Sequence, residues 1–142
     1  MRSQRGFTLL EMLVVIVLIG IAAGIVGFGL QHGLHAASER KAVVQVVQAL
    51  RAARVQAIVT GQPARTRFDL AQRRFQAPGK AVQQWPADMR VQLHTAAELG
   101  PAFEFYPDGG ASGGHLFLTT GAQRWRVDVA WLTGTVQLRD LK

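Results

Sequence analysis

Cysteine is absent from the sequence, which excludes disulfides and thiolate metal sites and leaves stability to packing. Acidic residues are scarce: nine Asp and Glu stand against sixteen Lys and Arg, for a formal charge of +7 and a pI near 11.3. Charge of either sign is missing from Met12 to Leu30, a run of nineteen residues reading MLVVIVLIGIAAGIVGFGL. No internal repeat or low-complexity linker is visible. At 142 residues and 15.5 kDa, the chain has room for one compact domain beside a long anchoring element, not for two catalytic domains.

As a helix, the uncharged run extends about 28 Å, just enough to span a bilayer. Arg2 and Arg5 precede it and no basic cluster follows at once, so the positive-inside tendency places the N-terminus in the cytoplasm and the remainder outside. A buried soluble helix seldom carries so long an uncharged stretch at the extreme N-terminus. A secretory signal peptide is the stronger competitor, with Leu34-His35-Ala36 as its small-residue cleavage site. Glu11 argues against it: a carboxylate costs about 2.5 to 3.5 kcal/mol at a membrane centre and less near the edge, and a signal peptide has no use for one. An ionisable group kept in that place implies a task.

Beyond the span, Val43, Val46, Leu50, Ala53 and Ala57 recur at spacings of three and four, which predicts an amphipathic helix over 31–60. Gln45, Gln48, Arg51, Arg54 and Gln56 lie off that stripe, and Gly61 with Pro63 supplies the stop. Gly20, Gly24, Gly27 and Gly29 weaken the membrane half or permit close helix packing, two readings the sequence leaves open. The period then changes to two, with strands expected over 64–70, 73–77, 90–95, 103–106, 115–119, 125–130 and 135–138. Turn signals separate them at Ala71-Gln72, Pro107-Asp108-Gly109-Gly110, Thr120-Gly121 and Thr133-Gly134, while 78–88 reads as loop. The expected class is α+β: a long N-terminal helix, part membrane and part amphipathic, packed on one or two small antiparallel sheets.

Gly6-Phe7-Thr8-Leu9-Leu10-Glu11 resembles the prepilin processing motif of type IV pilins and type II secretion pseudopilins. The resemblance implies a dedicated membrane peptidase and methyltransferase that cuts between Gly6 and Phe7 and methylates the new Phe7 amine. It divides the chain into a leader over 1–6, a transmembrane and filament-core half over 7–30, an amphipathic half over 31–60 and a periplasmic head over 61–142. Physical chemistry agrees with these residue types. Glycine lets the backbone enter a peptidase cleft without side-chain clash, and the cut removes Arg2 and Arg5, which would resist extraction from the membrane. It also creates a cation at Phe7 that can pair with Glu11 of a neighbouring subunit in a low-dielectric bundle.

A second stretch, Phe105 to Gly114 with Gly134-Thr135-Val136 later, is similar to minor pseudopilins of the H class, as are Ala49-Leu50-Arg51-Ala52-Ala53-Arg54 and Gly61-Gln62-Pro63. That likeness thins between Phe75 and Glu98. It implies a structural subunit of the type II secretion pseudopilus, without catalysis or cofactor, whose partners are other minor pseudopilins and the major pseudopilin at the inner membrane. The alternative is a type IV minor pilin serving pilus assembly or DNA uptake, whose members often carry a head cysteine pair that this chain lacks.

Other groupings carry less. Asp108, Ser112 and His115 are close in sequence, but three residues on one glycine-rich hairpin lack the supporting shell and separate oxyanion donors that acyl transfer needs. The loop residues Asp108, Gly109, Gly110, Ser112, Gly113 and Gly114 are a turn, and a candidate partner contact because exposed loops on rigid scaffolds often serve that way. His32 and His35 lie one turn apart without a third ligand, so no metal site is expected. Trp85, Trp125 and Trp131 could stack bases beside arginines, yet Arg124-Trp125-Arg126-Val127 reads more simply as a strand with one face in the core. The remaining basic residues are scattered and look like a solvated surface, with nucleic-acid binding as the lesser option.

Overall fold

A computed structural model describes residues 7–141, apart from the side chains of 28–35; Gly6 and the leader lie outside the described residues. The chain divides into two compact units, with the boundary at Ala37 and Ser38. A single helix, α1, runs Leu9–Thr60 and contributes to both.

The helix begins where the sequence allows it to. Thr8 is the cap: its Oγ1 accepts a hydrogen bond from the Glu11 amide at 3.3 Å and its carbonyl accepts one from the Met12 amide at 3.2 Å. Capping satisfies amides that the first turn would leave without partners. Leu9–Gly27 is long and apolar enough to cross a membrane, and none of it is buried. Ala36–Thr60 meets the same length and composition test, but its apolar side is packed away in the second unit.

In that unit Val43, Val46, Leu50, Ala53 and Ala57 are all buried, as the three-and-four spacing requires. Alanine at 49, 53 and 57 lets strands approach the helix axis; the hydroxyl of buried Thr66 donates to the Ala49 carbonyl at 3.4 Å. The helix stops at Gly61, whose φ of +66° is a left-handed cap that glycine adopts without a Cβ penalty; its amide donates to the Ala57 carbonyl at 3.0 Å.

Eight strands follow: β1 (Ala64–Asp69), β2 (Arg74–Gln76), β3 (Gln83–Gln84), β4 (Arg90–His94), β5 (Ala102–Phe105), β6 (Gly114–Thr120), β7 (Gln123–Val129) and β8 (Val136–Leu141). They form two antiparallel four-stranded sheets, ordered β3-β2-β1-β5 and β4-β6-β7-β8. The alternation of β1 and β7 places Phe68, Trp125, Val127 and Val129 inward and arginines outward. One core joins α1 to both sheets, with Phe68 stacked on Phe75 at 5.8 Å and edge-on to Phe103 at 6.0 Å.

The 78–88 segment, expected as loop, contains β3. Trp85 accounts for it: the buried indole stacks on Phe75 at 6.1 Å and its amide donates to the Arg73 carbonyl, which pins the chain beside β2. A short 3-10 turn, Ala97–Leu99, was also not signalled by the period-two pattern.

Candidate functional site

The candidate site residues among those described fall in two places, the start of α1 and the glycine-rich loop of the head. Phe7 is 68% exposed and Glu11 is exposed in the first helical turn, the third residue of the apolar span Leu9–Gly27. Among the described residues Glu11 makes no ion pair, so its carboxylate has no cation of its own to neutralise it. Thr8 and Glu11 stand in the Thr-x-x-Glu spacing of a capping box, a signal present in the sequence that the processing motif overshadowed. An acid at this position also complements the positive end of the helix dipole.

The loop from Tyr106 to Gly114 is held on three sides. Internally, the Gly110 amide donates to Asp108 Oδ1 at 2.9 Å, and Tyr106 and Gly109 close the turn through backbone bonds to Gly110 and Tyr106 respectively. Ser112 ties it to β5: its amide donates to the Glu104 carbonyl at 2.8 Å, and its Oγ accepts from the Glu104 amide at 3.1 Å. Ala111 ties it to the β7–β8 turn by donating to the Trp131 carbonyl at 2.8 Å. Gly109, Gly110 and Gly113 are buried, whereas Asp108 and Gly114 are exposed.

Arg54 completes the fastening. Its Nε donates to the carbonyls of Gly109 and Thr133, each at 3.2 Å, and Arg51 donates to the Val136 carbonyl at 3.2 Å. Two helix positions off the apolar stripe, Arg51 and Arg54, thus hold the β5–β6 loop, the β7–β8 turn and the start of β8. The spacing marked these arginines as polar, but nothing in it showed that their acceptors are backbone carbonyls in distant turns.

Asp108, Ser112 and His115 are not brought together as a catalytic set. Asp108 and Ser112 are occupied by backbone amides, and the His115 ring stacks on His94 at 4.6 Å. Trp85 and Trp125 are buried in the core, and Trp131 is 69% exposed beside Leu132, at the tip of the β7–β8 turn. The side chains of His32 and His35 lie outside those described.

Comparison with known proteins brings two family models to this chain. One, described as the prokaryotic N-terminal methylation motif, matches residues 1–27. The other, described as type II transport protein GspH, matches residues 42–134. The type II secretion system protein H of Xanthomonas campestris pv. campestris is 39% identical over 146 aligned positions, covering 99% of this chain and 86% of that protein. The protein H of Escherichia coli K12 is 35% identical over 86 positions, 60% of this chain and 51% of that protein. Two structures of the minor pseudopilin EpsH from the type 2 secretion system of Vibrio cholerae superpose with TM-scores of 0.56 and 0.58. They cover 72% of this chain and 97% and 95% of theirs. At 19% and 15% identity these two speak for the fold.

Proposed function

This chain belongs to the type II transport protein GspH family, and from that premise we propose that it is a minor, non-catalytic subunit of a periplasmic pseudopilus. In this reading residues 1–6 are removed by the prepilin peptidase, Phe7 is methylated, and residues 7–30 anchor the chain in the inner membrane with the N-terminus cytoplasmic. After extraction the same helix joins the filament core. The amphipathic half over 31–60 and the head over 61–142 remain periplasmic and meet the other minor pseudopilins and the major pseudopilin.

The observation that carries the proposal is the exposed apolar span Leu9–Gly27 starting one residue after the Thr8 cap, with Glu11 as its lone charged residue. An uncut basic leader would hold the span in the bilayer, whereas a new Phe7 amine supplies a cation for Glu11, which pairs with none among the described residues. A burial of both in a neighbouring bundle favours pairing, because an unpaired carboxylate there costs several kcal/mol. The exposed Asp108 and Gly114 of the fastened loop are a rigid contact for a neighbouring subunit. Intact-mass measurement of protein extracted from membranes tests the processing step. The expected mass is that of a chain starting at Phe7 with one added methyl group, and retention of Met1 to Gly6 would refute it.

A further inference from the structure

Pairing registers arrange the outward side chains of the β4-β6-β7-β8 sheet in three rows. The first is Arg90, Thr119, Arg124 and Leu141; the second is Gln92, Phe117, Arg126 and Arg139; the third is His94, His115, Asp128 and Gln137. Four arginines and two histidines therefore share a face with one carboxylate. The outer side of the other sheet is nearly balanced by comparison. There Arg65 pairs with Glu104 at 3.2 Å and Arg74 with Asp69 at 3.3 Å, leaving Arg67 as the excess. Part of the positive charge that looks scattered along the sequence is thus gathered on one sheet face.

Three of the four guanidinium groups on this face are already oriented. Arg124 lies over the Phe117 ring at 4.2 Å and Arg126 at 5.6 Å. Arg126 and Arg139 grip the two oxygens of Asp128 at 2.7 and 3.4 Å. The His94 and His115 rings stack at 4.6 Å with Phe117 edge-on to both. Side chains held in this way lose less rotamer freedom when an anion arrives. Beside the third row opens a shallow concavity of about 470 Å³, lined in part by His115, Arg126, Thr135, Gln137 and Arg139.

We propose that this face docks an acidic segment of a partner protein, with Arg90 and Arg124 taking its carboxylates beside the stacked His94 and His115 rings. Carboxylate is the ligand chemistry the face already binds, in the form of Asp128. A nucleic acid fits less well: Phe117 has a guanidinium on its ring and offers no open stacking platform, and Asp128 opposes a continuous line of phosphates. The pH arm follows from neighbours. His115 titrates below its ordinary value because of burial, the Arg126 guanidinium and the adjacent His94, with Asp128 opposing; Arg90, Arg124 and Arg139 complete the charges on the face. A carboxylate set against the pair offsets that repulsion, so docking and protonation reinforce each other. The inference stands whether or not the leader is removed.

The test uses the full chain in non-ionic detergent micelles and a short labelled peptide of alternating Glu and Thr, followed by fluorescence anisotropy at physiological ionic strength. Replacing Arg90→Gln and Arg124→Gln together should weaken peptide binding about tenfold. Replacing Arg67→Gln and Lys80→Gln, which removes the same charge elsewhere, should leave it within about twofold. Lowering the pH from about 7.5 to about 5.5 should tighten binding roughly threefold to tenfold, a gain absent from His94→Gln/His115→Gln. Equal losses in both arginine and control pairs would show attraction to net charge alone and overturn the proposal. So would a pH-independent affinity, or a DNA duplex binding more tightly than the peptide under the same conditions.

Discussion

Gly134 and Gly121 both sit in hairpin turns with positive φ, at +63° and +51°, yet the structure assigns them very different tolerance to alanine. At Gly121 a Cβ would meet nothing within 4 Å, so Gly121→Ala carries only the left-handed backbone cost of about 1 to 2 kcal/mol. Reduced freedom of the unfolded chain offsets about 0.4 to 1 kcal/mol of that. At Gly134 the same Cβ would overlap the Gly109 carbonyl oxygen and come within 2.8 Å of Arg54 Nε. Relief requires the β7–β8 turn to move off the 107–110 loop, which breaks hydrogen bonds from Arg54 to Gly109 and Thr133. Bonds to a charged donor contribute about 1.5 to 3 kcal/mol each when buried and less when exposed, so the total cost should be about 3 to 5 kcal/mol. Urea unfolding of the full chain in mild micelles, read by fluorescence of the buried Trp85 and Trp125, measures both variants. In an Arg54→Met background the Gly134→Ala cost should shrink by about 1 kcal/mol or more, because part of the clamp is already gone. Equal midpoints for Gly134→Ala and Gly121→Ala would refute the idea that this junction is tightly fastened.

Glu11→Leu should leave membrane abundance and leader removal intact while cross-linking to neighbouring subunits falls, since the Phe7 amine would then be buried unpaired at a cost of several kcal/mol. Unchanged cross-linking and secretion would make Glu11 a bystander. A chain starting at Gln31 should be a soluble, folded monomer, because the buried stripe of α1 and both sheets supply its core; circular dichroism and sedimentation check this, and an unfolded head would contradict it. For His115, the lowered value means that the unfolded chain binds more protons just below pH 6.5. Stability should therefore be full above about pH 6.5 and decline as pH falls below it, and His115→Gln should flatten that slope in urea titrations across pH.

Helix and strands were readable because their periods are set by burial of one side. The positions Val43, Val46, Leu50, Ala53 and Ala57 are all buried, and the seven expected strands overlap β1, β2, β4, β5, β6, β7 and β8. What escaped was decided by packing at a distance. Gln83 and Gln84 have no strand preference of their own; Trp85 holds them in place by stacking on Phe75. The sequence left one or two sheets open, and the choice of two was not readable because the step from β4 in one sheet to β5 in the other leaves no mark in either strand's alternation.

The sites divide along the same line. Gly6, Phe7, Thr8 and Glu11 fall within one short run, Gly6 to Glu11, so whatever reads them reads the chain in order, and the sequence presents the whole motif at once. The basic face is different in kind. Arg124 and Arg126 alternate with buried residues and look like ordinary solvated strand positions until register sets Arg90 across from Thr119 and Arg139 across from Arg126. A shift of one residue in either pairing would turn those side chains into the core and disperse the charge. Core packing of Leu116, Leu118, Trp125 and Val127 forbids that shift, so the residues that stabilise the sheet also fix the composition of its outer face. A partner that recognises this face is in effect reading register, which is why its chemistry emerges only after the strands are paired.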